Sequence, residues 1–176
     1  MATFLLLPDS TDLGSSAHWV VSAGARHECL DDDNGNTSFV HCDNALASMI
    51  IEYADPSVDE EDIDSIDSVR FISSGRSTDR TNPSVVSIKF EAPTAGFAES
   101  CSYDVHRTNY ETINGTARTT SDGTHPWTYE DLEALELKCT KILTINVQLS
   151  YLAIEVTYTE AVTTVADNST FFGADF

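Results

Sequence analysis

Cationic side chains are what this sequence most lacks. Nine Lys and Arg residues stand against 29 Asp and Glu in 176 residues, a formal net charge of −20. The lysines are Lys89, Lys138 and Lys141 alone. Contacts to nucleic-acid phosphates need clustered Lys and Arg, and there is no cluster, which argues against nucleic acid as a partner. An anionic membrane surface is disfavoured for the same reason. Long apolar runs are also missing. None approaches the ~20 residues of a membrane span. Met1 to Leu7 is apolar but has no basic start and stops at Pro8, so it does not read as a signal peptide. The chain is expected to be soluble. Cys29, Cys42, Cys101 and Cys139 form no CxxC pair, and their spacing fits neither a zinc ribbon nor a redox motif. Buried free thiols are expected, with one disulfide between neighbouring strands left open. Neither a GxSxG elbow nor an HExxH motif occurs.

What is present suits a single globular domain, with 41% hydrophobic and 9% aromatic residues. At low salt so much like charge pushes a fold apart. At molar salt the Debye length shrinks to about 3 Å and the repulsion is screened. The acidic, lysine-poor composition therefore points to a halophilic source.

Period-two patterns dominate the chain. In Val85 to Glu91, Val86, Ile88 and Phe90 fall on one face and Ser87, Lys89 and Glu91 on the other, the mark of a half-buried strand. Ser150 to Tyr158 sets Leu152, Ile154, Val156 and Tyr158 against Ala153, Glu155 and Thr157. Val69 to Ile72 and Ala47 to Tyr53 read the same way, with Thr3 to Leu7, Ser100 to Arg107 and Tyr110 to Arg118 as weaker candidates. His27 to Leu30 and Ser38 to Cys42 flank a turn and read as two more. Asn34-Gly35, Asn114-Gly115 and Asp122-Gly123 supply turn chemistry. One short helix is predicted, capped by Thr128, with Asp131 in its first turn and Leu132 and Leu135 on one face. The chain then becomes extended over Leu137 to Thr140. Asp59 to Asp67 reads as a helical turn or an acidic loop. Residues 161–176 read as an arm, ending in FFGADF.

Several groups could carry chemistry. Asp31, Asp32, Asp33 and Asn36 are candidate calcium ligands, because a hard cation takes six to eight oxygens and carboxylates crowded on a turn can supply several. An EF-hand pattern is not met, since Gly35 falls one place early; a solvated turn is the preferred reading. His27, Cys29, His41 and Cys42 contain zinc-ligand types in two pairs, but the adjacent His41 and Cys42 would point to opposite faces of a strand. Glu130, Asp131, Glu133 and Glu136 could in principle pair for glycoside hydrolysis, although one short exposed helix more often carries a solvated acidic face. His18, Trp19, Trp127 and Tyr129 could stack on a sugar, against the plainer reading that Trp127 packs over the end of the core. Phe171, Phe172 and Phe176, apolar groups on a polar arm, are the candidate partner-binding residues.

Three stretches carry a resemblance. DDDNGNTSFV (Asp31 to Val40) is an acidic glycine-containing turn leading into an aromatic strand. IDSVRFISSGRS (Ile66 to Ser77) is a strand followed by another at Val85 to Glu91. WTYEDLEALELK (Trp127 to Lys138) is a helix that leads to the strand VQLSYLAIEVTY (Val147 to Tyr158). In order and spacing these resemble the jelly-roll structural proteins of tailed viruses, capsid decoration (cement) and tail-associated proteins among them, over most of Asp31 to Glu160. The glycine those proteins carry after the closing helix is missing, because Leu137-Lys138-Cys139 runs straight on.

The resemblance implies an all-β, jelly-roll-like antiparallel β-sandwich of about eight strands over residues 1–160, with one short helix before the last strand and residues 161–176 as a C-terminal arm. It implies a non-enzymatic virion protein on the capsid surface or tail, from a haloarchaeal virus if the acidic surface is read with it. Its partners would be its own copies, as a trimer first and a pentamer second, and the major capsid protein or another virion protein. The alternative is a carbohydrate- or receptor-binding sandwich module of a tail or surface protein, located outside the cell. No cofactor is expected beyond the calcium considered at the acidic turn.

Overall fold

A computed structural model describes residues 1–11, 18–22, 24–31, 38–79, 81–93, 98–104 and 109–162. Among them eleven strands form two antiparallel sheets stacked as a jelly-roll-like sandwich. The strands are β1 (Ala2–Leu6), β2 (Pro8–Thr11), β3 (Trp19–Val21), β4 (Val40–Cys42), β5 (Ser48–Tyr53), β6 (Ile63–Ser77), β7 (Ser84–Ala92), β8 (Ala98–Tyr103), β9 (Glu111–Asn114), β10 (Glu136–Lys141) and β11 (Val147–Glu160). One sheet has the order β3-β4-β11-β6-β9, with β1 on the same edge of β11 as β4; the other is β2-β5-β10-β7-β8. Only β3–β4 and β7–β8 pair with their chain neighbours; the other successive strands switch sheets, as in a jelly roll.

The count exceeds the expected eight in part because the short strands β2 and β3 are held by tertiary contacts rather than by their own patterns, whereas β4 falls within the predicted Ser38 to Cys42. Leu7 lies where the chain passes from one sheet to the other, so the predicted Thr3 to Leu7 strand is β1 and β2 starts after it at Pro8. The helix α1 (Tyr129–Glu133) comes before β10, the last strand but one, and not before the last. Its capping box is complete: Thr128 Oγ1 accepts the Asp131 N–H at 3.2 Å, and Asp131 Oδ2 accepts the Thr128 N–H at 3.0 Å. Leu132 and Leu135 are buried as their spacing predicts. His27–Cys29 is a 3-10 turn, not a strand. The next residue, Leu30, uses its carbonyl to accept the Leu152 N–H at 3.0 Å, occupying the part of the β11 edge that lies between β4 and β1. Glu60–Asp62 is likewise a 3-10 turn, and β6 begins at once after it.

The core follows the predicted alternation in β7, where Val86, Ile88 and Phe90 are buried. In β11 it survives through a register shift between Leu149 and Tyr151. Ser150 is the extra residue, so Val147 and Leu149 before it and Leu152, Ile154 and Val156 after it all face inward. A second shift, between Thr157 and Tyr158, does the same for Ile66 and Val69 of β6, with Asp67 as the extra residue. The two sheets are tied by polar contacts as well as apolar ones. Tyr53 Oη donates to the Leu152 carbonyl at 3.2 Å, Ser73 and Tyr103 share a hydroxyl–hydroxyl bond, and Ser84 Oγ donates to the Asn146 carbonyl at 2.7 Å.

Candidate functional site

The sandwich has two unlike ends. At one end β5 leads to β6, the chain begins, and β11 finishes. Residues 54–64 there expose Asp55, Asp59, Glu60, Glu61, Asp62 and Asp64. At the other end β4 leads to β5 and β10 leads to β11. This end exposes Leu46 (77%), Ile142 (38%) and Leu143 (40%), while the acidic end exposes Met1 (94%) and Val162 (86%).

Backbone bonds build the apolar end. The Leu46 N–H donates to the Lys141 carbonyl at 2.7 Å, and the Lys141 N–H donates to the Ala47 carbonyl at 3.0 Å. The Ile142 N–H donates to the Val85 carbonyl at 2.9 Å. Together they hold the β4–β5 turn beside the β10–β11 turn. Leu46 has φ +63°, a left-handed conformation uncommon for any residue but glycine and asparagine. Trp19 lies behind the turn, buried, with its indole N–H on the same Ala47 carbonyl at 3.1 Å.

Lys141 is fully buried at the end of β10, and its ammonium donates to the Thr144 carbonyl at 3.3 Å. Burial holds its amine below the ordinary lysine value, while the nearby Cys42 and Asp43 pull the other way. The folded chain therefore takes up this proton less readily than the unfolded chain. The penalty is present in full below the lowered folded-state value and is relieved as pH rises toward the unfolded value of about 10.4. Lys141→Met is expected to raise stability by about 1 kcal/mol at neutral pH, because it removes an incompletely paired buried charge. It should also flatten the gain in stability at alkaline pH, which urea unfolding at neutral pH and near the unfolded lysine value will measure. A variant less stable than the parent under both conditions would show that the bond to Thr144 outweighs the desolvation.

Among the described residues, those predicted from sequence to carry chemistry do not converge. Asp31 is half-buried just after the Leu30 contact, and its companions Asp32, Asp33 and Asn36 lie outside the described residues, as do Phe171, Phe172 and Phe176. Among the described residues no three His, Cys, Asp or Glu side chains are grouped to hold a metal ion. None of the four cysteines is in a disulfide, and all four are buried. Burial raises the thiols of Cys42 and Cys139 and pushes Cys101 up to about 12, which keeps them protonated at neutral pH rather than activated as nucleophiles. His41 is half-buried while its neighbour Cys42 is buried, on opposite faces of β4. Asp131 is committed to the helix cap. Trp127 is 5% exposed, edge-on to Phe90 with ring centroids 5.9 Å apart, and donates its indole N–H to the Arg118 carbonyl at 2.9 Å. Neither tryptophan presents a face for a sugar to stack on.

No family model and no curated protein matches the sequence. The site is thus defined by its geometry. Sequence reading missed Leu46, Ile142 and Leu143, aliphatic residues in segments assigned to no strand. No helix among the described residues is long and apolar enough to cross a membrane.

Proposed function

We propose that this chain is a non-enzymatic virion structural protein, a decoration or cement protein that binds its own copies and a viral shell. What supports this reading is the polarity of the sandwich. One end carries a dense set of exposed carboxylates beside the exposed Met1 and Val162, and the other exposes Leu46, Ile142 and Leu143 beside Asp43, so aliphatic side chains stand out of the core on an otherwise acidic chain. An aliphatic group held out of the core on a rigid sandwich gains by burial against a partner. The acidic end then faces solvent, where like charges stay far apart between neighbouring subunits. Added buried interface stabilises the assembled particle by mass action. By the resemblance to decoration proteins a trimer is the first choice, with a pentamer the second. The shell partner would be the major capsid protein or another virion protein.

The test is the mass of the purified protein by light scattering, from low to molar salt. A discrete ring at molar salt, dissociating as salt is removed, is the expected result, since the screening length grows from about 3 Å to beyond 10 Å on dilution. A stable monomer at every salt concentration would overturn the self-association in this reading.

A further inference from the structure

We propose that β1 pairs edge to edge with β1 of a second copy, antiparallel about a two-fold axis at Phe4, so that one sheet runs on through both chains. This rests on the self-association proposed above and gives it a contact of two-fold symmetry, through which single chains or whole rings join in twos.

The backbone of β1 is the first reason. β11 carries β6 along one side, while β4, Leu30 and β1 share the other. The Leu152 N–H donates to the Leu30 carbonyl on that shared side. Ile154, Val156 and Tyr158 follow at the strand period and turn their backbone groups the same way, toward their partners Leu6, Phe4 and Ala2. The N–H and C=O groups of Thr3 and Leu5 therefore point away from β11. Among the described residues no second strand lies beside β1. The other outer strands are guarded against pairing. Pro8 and a register shift break β2, and Arg26 Nε donates to the Trp19 carbonyl of β3 at 2.8 Å. Glu99 and Glu111 put carboxylates on β8 and β9. β1, with the sequence ATFLL, has no charge, no proline and no break in its register.

Self-complementarity selects a second copy as the occupant. Two antiparallel β1 strands centred on Phe4 set Thr3 of each chain opposite Leu5 of the other, and every outward N–H meets a C=O. Phe4, whose ring stands 5.6 Å from that of Tyr158, meets Phe4 of the second copy as a close, non-hydrogen-bonded pair. The same register places Met1, 94% exposed, beside Leu7 of the second copy, 38% exposed. Leu5, also exposed, gains Thr3 as its neighbour. Charge points to the same edge. Two chains of net charge −20 repel, so contact is easiest where carboxylates are absent or paired. The acid nearest in the ladder, Glu155 opposite Leu5, is bound to Arg70 at 2.8 Å.

The experiment compares the wild type with Thr3→Pro and Leu5→Lys by light scattering at molar salt over a range of protein concentration. Thr3→Pro removes an outward N–H and leaves the β1–β11 bonds in place. Leu5→Lys puts a charge on the edge while lowering the net negative charge, so a loss of pairing cannot come from added net repulsion. Circular dichroism and the unfolding midpoint check that each variant folds. The wild type is expected to hold an even number of subunits, and each folded variant to have half its mass. Phe4→Cys, treated with diamide, is expected to form a covalent dimer, because the facing Cα atoms of such a pair lie about 4.5 Å apart. Leu5→Cys, offset along the strand from its own copy by more than a disulfide spans, is expected to stay uncrosslinked. An odd-numbered wild type, or folded variants of undiminished mass, would overturn the edge pairing and leave self-association standing. A wild type that is monomeric at every concentration would overturn both.

Discussion

Trp19→Ala is expected to lower the stability of the sandwich by about 3–5 kcal/mol, the range for a buried tryptophan. The side chain is 1% exposed on β3, a strand of three residues at the edge of its sheet. So short a strand has little of its own to hold it, and its ladder to β4 consists of Trp19, Val20 and Val21 opposite Cys42, His41 and Val40. The indole anchors it twice, by apolar burial and by the N–H bond to Ala47. That carbonyl also accepts the Lys141 N–H, so the substitution leaves it paired and most of the loss comes from the cavity. A loss in the middle of the range corresponds to a fall of roughly 12 °C in melting temperature for a chain this size. Thermal and urea unfolding will measure it. A loss below about 1 kcal/mol would mean that β3 lies outside the cooperative core. The variant also separates burial from ligand binding: reduced glycan affinity with unchanged stability would restore Trp19 as a stacking residue.

Gly75→Val is the second large effect, expected at about 3 kcal/mol, the upper part of the range for overpacking a filled core. Gly75 lies on the inward face of β6, and a Cβ there would stand 2.7 Å from Leu149 Cδ2 and 2.8 Å from Tyr103 Cε1. The Tyr103 ring cannot readily withdraw, because it is fully buried and its hydroxyl is bonded to Ser73. Leu149 belongs to the neighbouring β11, opposite Gly75 in the ladder. Shortening it should therefore admit a methyl group. Gly75→Ala combined with Leu149→Ala is expected to cost less than the sum of the two single losses. Strict additivity in that double-mutant cycle would locate the clash elsewhere.

Gly75 also shows where the pattern of the sequence stopped being readable. The apolar alternation around Val69 and Phe71 gives way to Ser73, Gly75 and Ser77, so the predicted strand ended at Ile72. All three of those residues are nonetheless inward and buried, because Tyr103 from the opposite sheet fills the space that large side chains would otherwise occupy. The strand runs on to Ser77 for that reason. The register shifts at Ser150 and Asp67 are a second case. Each reverses the inward parity within one strand, and no local propensity announces them. The candidate site divides in the same way. The sequence drew attention to an acidic turn and to three phenylalanines, since crowded charge and aromatic residues stand out in composition. Leu46, Ile142 and Leu143 went unnoticed because an aliphatic residue looks the same in a sequence whether it is buried or exposed.

By itself, then, the sequence determined the all-β class, the alternation of β7 and of the second half of β11, the Thr128–Asp131 helix cap, the buried thiols and the acidic character of the chain. These depend on near neighbours, on period-two patterning or on composition, which a linear reading contains. Only the tertiary structure decided that Trp19 belongs to the core, that Lys141 is buried, that the short strands β2 and β3 form at all, and that the exposed carboxylates of residues 54–64 gather at one end of the sandwich. Those outcomes depend on residues far apart in the chain that the two sheets bring together, such as Ala47 with Lys141 and Leu30 with Leu152.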